Sequence, residues 1–204
     1  MQEFDLARTT LREALRVLES EGLITVQCGR NGGPRVTHPP IDRLARMLSV
    51  HLQMQRTTVG DLDSARQLIE PHLAAAMASS HTDADLEALE DAIALAATAA
   101  KAADTEAFAA AATTVHETIV QRGGNTTLSV VAQMLRGVVT EYYRVAARKT
   151  TVEMMERAVR SYRRLRRYIE DGDAEGAAEH WRKQMAFTIE HVDRDQVLEV
   201  FGGS

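Results

Sequence analysis

With 204 residues, 45% hydrophobic and 26% charged side chains, the chain has the make-up of a globular protein, with room for one medium domain or a small one joined to a medium one. Its single cysteine, Cys28, excludes a disulfide framework and a multi-cysteine zinc site. No signal peptide and no apolar run long enough to cross a bilayer is visible, so we expect a cytoplasmic protein without a membrane partner. The net charge of −5 falls wholly in residues 39–204, because residues 1–38 carry five arginines against five acids. That balance weighs against nucleic acid as the only partner.

Abundant alanine, 4% aromatics and four prolines favour close-packed helices over sheets. The first clear helix opens at Thr9-Thr10-Leu11-Arg12-Glu13, carries Leu11, Leu15 and Leu18 on one stripe, and stops at Gly22. Leu23–Val26 reads as a strand, Cys28–Gly33 as a turn and Arg35–Thr37 as the returning strand, before His38-Pro39-Pro40 breaks the pattern. Helical patterns then follow at about 41–55, 59–79, 82–101, 104–122, 126–148, 151–171 and 174–191. Their boundaries have mechanisms. Acids open helices at Thr82-Asp83-Ala84-Asp85 and Asp104-Thr105-Glu106, and Gly123-Gly124-Asn125 and Asp171-Gly172-Asp173 are stops followed by caps. Short connections between seven helices point to an antiparallel bundle. The fold class is mostly α, divided into residues 1–38, a linker with a first helix at 39–58, and an all-α domain at 59–204.

No dinucleotide or phosphate-binding glycine loop, metalloprotease helix or nucleophile elbow occurs. We expect no enzyme activity.

The run Leu6-Ala7-Arg8-Thr9-Thr10-Leu11-Arg12-Glu13-Ala14-Leu15-Arg16, followed by Leu18-Glu19, Glu21-Gly22-Leu23 and Gly29-Arg30, resembles the recognition helix and wing of the GntR superfamily of regulators. Arg66 with Glu70-Pro71, Val115-His116, Gly124-Asn125 and Gly172-Asp173 resemble the FCD effector domain of its FadR-like branch. The resemblance implies a winged helix-turn-helix with a short two-stranded wing, followed by a helical ligand-binding domain. It assigns base reading to Arg8 and Arg12, phosphate contacts to Thr9 and Thr10, and the wing's approach to DNA to Gly29 and Arg30. Physical chemistry agrees. An arginine at the start of a helix lying in the groove can donate two hydrogen bonds to guanine, and a helix N-terminus favours phosphate. A full winged helix has two helices before the recognition helix, and this chain starts inside the second. We therefore treat the winged helix as truncated and expect this 204-residue form to bind operator DNA poorly. Dimerisation would double its few phosphate contacts.

Many FCD domains resemble one another in a buried site of one Asp and three His holding a divalent metal. The same local motifs place those positions here at Ala112, His116, Tyr162 and Gln184. His116 alone is a good ligand, with His191 two turns beyond Gln184, so we expect neither metal nor other cofactor. A cavity lined by Tyr162, Gln184, His116 and His191 suits a small organic effector, a carboxylate or a lipid-derived molecule. Arg66 matches a position that faces ligand carboxylates in the family; a salt bridge with Glu70, one turn on, is the other reading. Arg157, Arg160, Arg163, Arg164, Arg166 and Arg167 make one helix strongly basic, with Arg160, Arg164 and Arg167 facing outward opposite Tyr162. Two functions remain open. One is a homodimeric transcriptional regulator, a repressor, whose effector controls operator binding. The other is a ligand-binding or interaction protein that no longer contacts DNA.

Overall fold

The computed structural model of the chain describes residues 8–29, 32–147, 150–189 and 193–199. Its elements run α1 (Arg8–Ser20), β1 (Ile24–Gln27), β2 (Gly33–Val36), α2 (Ile41–Met54), α3 (Val59–Ser80), α4 (Asp83–Lys101), α5 (Thr105–Arg122), α6 (Thr126–Ala147), α7 (Val152–Glu170) and α8 (Ala174–Ile189). They form two compact units, Met1–Leu44 and Ala45–Ser204.

In the first unit, α1 ends in a Schellman turn. Gly22 adopts φ +69°, its N–H bonds to the Glu19 carbonyl and the Leu23 N–H to the Leu18 carbonyl, each at 2.9 Å. Because Leu23 closes that turn, the strand begins one residue later than the pattern of apolar residues implies. β1 and β2 pair antiparallel, with Ile24 opposite Val36 and Gln27 opposite Gly33. The Thr37 hydroxyl donates to the Gly22 carbonyl at 2.9 Å and ties the hairpin to the helix end. Ile24 is buried, whereas Leu11 and Leu18 are each more than a third exposed.

In the second unit, α3 packs against α5, α6, α7 and α8, while α4 lies against α5 and α7. The main core is built from Met77, Leu89, Ile93, Val115, Ile119, Met155, Leu165 and Trp181. Thr58 and Thr82 each close a capping box with the aspartate three residues on, so Asp61 and Asp85 return a hydrogen bond to the cap. The turn after α4 passes through Ala103, a non-glycine residue at φ 54°, and there the Asp104 N–H reaches the Ala99 carbonyl at 3.0 Å. Gly137 lets α6 approach α2, because a Cβ there would stand 2.6 Å from the Ala45 Cβ. Residues 193–199 return to the start of α3, a feature outside the sequence reading. The Val59 and Gly60 N–H groups, which have no acceptor within their own helix, bond to the Gln196 and Arg194 carbonyls at 2.9 Å.

Candidate functional site

The buried face of α3 carries three charged residues, each within a helical turn of the next: Asp63, Arg66 and Glu70. Spacings of three and four place them on one stripe, and that stripe points into the bundle. Arg66 holds Glu70 through Nε at 2.8 Å and Nη2 at 2.7 Å, and Asp63 stands 3.8 Å from its Nη1. The second Asp63 oxygen accepts from Gln67 Nε2 at 2.8 Å. The other Glu70 oxygen meets His116 Nδ1, from α5, at 2.7 Å.

Burial alone would raise the Glu70 carboxyl, but Arg66 and His116 together more than reverse it and hold it at about 2. Burial also dominates at His116 and lowers its pKa, with Glu70 opposing and Arg136 and Arg66 adding to the fall. The imidazole is therefore neutral at pH 7. Facing an ionised carboxylate, it must carry its proton on Nδ1, which leaves the Nε2 lone pair as an acceptor.

Three more helices complete the surroundings. The Trp181 ring of α8 lies 4.6 Å from His116, centroid to centroid, and the Tyr162 ring of α7 lies 6.1 Å from Trp181. Burial pushes the Tyr162 phenol up, so it stays protonated, a hydrogen-bond donor. Arg136 of α6 is buried and faces the Glu117 carboxylate at 3.7 Å, beyond hydrogen-bonding length. Burial lowers its pKa, and Arg66 adds to the fall. The Trp181 Nε1 proton is buried with no acceptor among the described residues.

Arg66, His116 and Tyr162 thus gather in one place, with Arg66 engaged by Glu70. Gln184 is buried one turn beyond Trp181 and lines a cleft between α7 and α8. Ala112 packs against the core. His191 lies outside the described residues. Of the DNA-reading residues, Thr9, Thr10 and Arg12 are exposed in the first turns of α1. Arg8 is its first residue, with a side chain outside the description, as is Arg30 altogether. Gly29, exposed at φ 131°, has nothing within 4 Å of a would-be Cβ. Asp63, Arg136 and Trp181 escaped the sequence reading. A lone arginine in the apolar run Met134-Leu135-Arg136-Gly137-Val138-Val139 was the available signal for Arg136.

A helix with a two-stranded wing, followed by an all-α bundle enclosing a polar cluster, defines a winged-helix protein with a helical effector-type domain. The FCD domain family matches residues 61–187: the chain belongs to that family, in the FadR-like branch of the GntR superfamily. It is 32% identical over 92 residues to the HTH-type transcriptional regulator LutR of Bacillus subtilis (strain 168), covering 45% of this chain and 41% of LutR. The chain thus spans about two fifths of that relative. Two solved structures share the fold. Streptococcus agalactiae GntR matches with a TM-score of 0.70 at 20% identity, over 92% of this chain and 83% of that one. E. coli McbR/YncC gives 0.59 at 16%, over 91% and 85%. No helix among the described residues is long and apolar enough to cross a membrane.

Proposed function

We propose that the chain is a homodimeric transcriptional regulator, a repressor, whose bundle binds a small organic anion without a metal and thereby controls operator binding by α1 and the wing. Family membership and the likeness to LutR support the regulator reading. For its parts we keep residues 1–38 as the DNA-reading domain, 39–58 as linker and first helix, and 59–204 as the effector domain.

One observation carries the effector reading: among the described residues Trp181 Nε1 is a buried donor without an acceptor, in the same site as the buried Arg136 guanidinium, whose carboxylate contact among those residues is Glu117 at 3.7 Å. Buried donors require acceptors, and a carboxylate supplies them to both. The family's metal does not fit these residues. Ala112 offers no donor atom and the Tyr162 phenol keeps its proton, so of the four positions His116, through the Nε2 that its bond to Glu70 leaves open, is the one good ligand. Among the described residues no three His, Cys, Asp or Glu side chains converge on one point, and one imidazole does not hold zinc or nickel.

Calorimetry with a panel of mono- and dicarboxylates tests this, with and without chelator. Arg136→Gln should weaken the best binder by about tenfold or more, the worth of a charge-assisted hydrogen bond, while chelator leaves the affinity unchanged. Binding that chelator abolishes would overturn the metal-free reading. For the regulator half, gel shifts should show operator affinity changing when the effector is added; an unchanged affinity argues against it.

A further inference from the structure

The outward face of α7 holds a second cluster of charge that the effector site does not use. Arg157, Arg160 and Arg164 line one wall of a cleft of about 320 Å³ between α7 and α8, and Lys183 and Phe187 line the other. Ser161, His180 and Gln184 complete the lining, which among the described residues contains no carboxylate.

How these cations are held matters more than their number. The Arg157 guanidinium sits 3.5 Å above the Phe187 ring centre. Arg164 donates to the Tyr168 hydroxyl from Nη2 at 3.1 Å and Nε at 3.3 Å. Aromatic partners fix both side chains in place without cancelling their charge. Among the described residues two acids stand near the rim: Glu156, 3.8 Å from Arg160, and Glu179, 3.1 Å from Lys183 and also bonded to Arg182. His180 Nε2 donates to the Ser161 carbonyl at 2.9 Å and lies 3.0 Å from the Ser161 hydroxyl. Burial lowers its pKa, so it adds no charge at pH 7. Around the other side of α7, Arg160, Arg163, Arg166 and Arg167 line an adjoining cleft with Glu90 as its acid.

We propose that the α7–α8 cleft is an anion site separate from the effector site, and that its ligand is a small molecule bearing a phosphate or diphosphate group. A carboxylate spreads one charge over two oxygens and answers one arginine. A phosphate presents three acceptor oxygens and close to two charges, which several converging guanidinium and ammonium groups can share. The cleft is too small and too local for a macromolecular surface, and its aromatic rings offer a face for an organic remainder.

Inorganic pyrophosphate is the probe, measured by calorimetry on the full chain in chloride buffer, with succinate at equal concentration as the comparison. Pyrophosphate should bind and succinate should not. The double variant Arg160→Glu with Lys183→Glu changes two exposed side chains. It should keep the parent circular dichroism and melting temperature and weaken pyrophosphate by about tenfold or more. Arg136→Gln, which tests the effector site, should leave pyrophosphate binding intact, so each reading fails by itself. Equal affinity in parent and double variant, or equal binding of succinate, would overturn the proposal. Displacement of pyrophosphate by random-sequence duplex DNA at lower phosphate concentration would overturn the small-ligand assignment in favour of a nucleic-acid backbone.

Discussion

Two helices of the same bundle carry stripes of charge, and they manage it in opposite ways. On α3 the charges are buried and mutually engaged: Arg66 between Asp63 and Glu70, and Glu70 between Arg66 and His116. On α7 the arginines other than the half-buried Arg166 are exposed; Arg157 and Arg164 are held by aromatic groups, while Arg160 and Arg166 meet acids. Charge in a low-dielectric interior is tolerable only when satisfied. Charge at the surface can be left uncompensated at little cost to stability, and is then available to a ligand. The first stripe therefore holds the fold and shapes a site, and the second keeps Arg157 and Arg164, which meet no acid among the described residues, available to bind.

The sharpest way to break this contrast is to remove the shared member of the α3 stripe. Glu70→Ala takes from the buried Arg66 guanidinium its two hydrogen bonds to Glu70 and from His116 its acceptor. We expect a loss of about 3–5 kcal/mol, read from urea denaturation by circular dichroism. A loss below about 1 kcal/mol would mean that the network behaves as a surface pair despite its burial.

Acid titration probes the same network without mutation. The Glu70 pKa is depressed from 4.5 to about 2, so its stabilisation is present above pH 4.5 and is lost as pH falls towards 2. His116, depressed below 6.5, adds in the same direction. Its unfolded form takes a proton first, so stability begins to fall below about pH 6.5. Melting temperature should therefore decline from pH 7 downward and fall more steeply below pH 4.5. In Glu70→Ala the lower, steeper step should shrink. A profile indifferent to pH between 7 and 3 would contradict both shifts.

Gly137→Ala sharpens the comparison from the side of α6. The added methyl would meet Ala45 at 2.6 Å, so α6 must shift, and Arg136 shifts with it. Overpacking of this kind costs about 1–3 kcal/mol. Effector affinity should drop alongside stability, while pyrophosphate binding at α7 should not move. Parallel losses at both sites would show that the two stripes are mechanically coupled.

Much of this arrangement was legible in the sequence, for local reasons. Thr82 with Asp85, Asp104, and the glycines at 22 and 172 mark helix ends by chemistry that acts within a few residues, and the helices fall within two residues of those marks. Arg66, His116 and Tyr162 were found through family resemblance, and the Arg66–Glu70 pair through helical spacing. Arg136 and Trp181 were missed because their roles depend on which helices meet, which spacing along one helix does not encode. The return of residues 193–199 to Thr58 and Val59 was missed for the same reason: it satisfies the N-terminus of α3 from about 135 residues away.

The smallest expected effect is the most direct test of the α7 half of the comparison. Arg163 is exposed and lines the second cleft beside Arg160 and Arg167, three residues before it and four after. Like charges at these helical spacings repel by about 0.2–0.5 kcal/mol per pair. Arg163→Gln keeps the helix propensity and the length of the stem and removes only the charge. If α7 holds charge for binding and not for folding, the variant should be unchanged or slightly more stable, by no more than about 0.5 kcal/mol. The gain should grow as salt is lowered, because the repulsion it relieves is screened. A loss above about 1 kcal/mol would place Arg163 in a stabilising ion pair, and the α7 stripe would then belong with α3, as charge that the fold consumes.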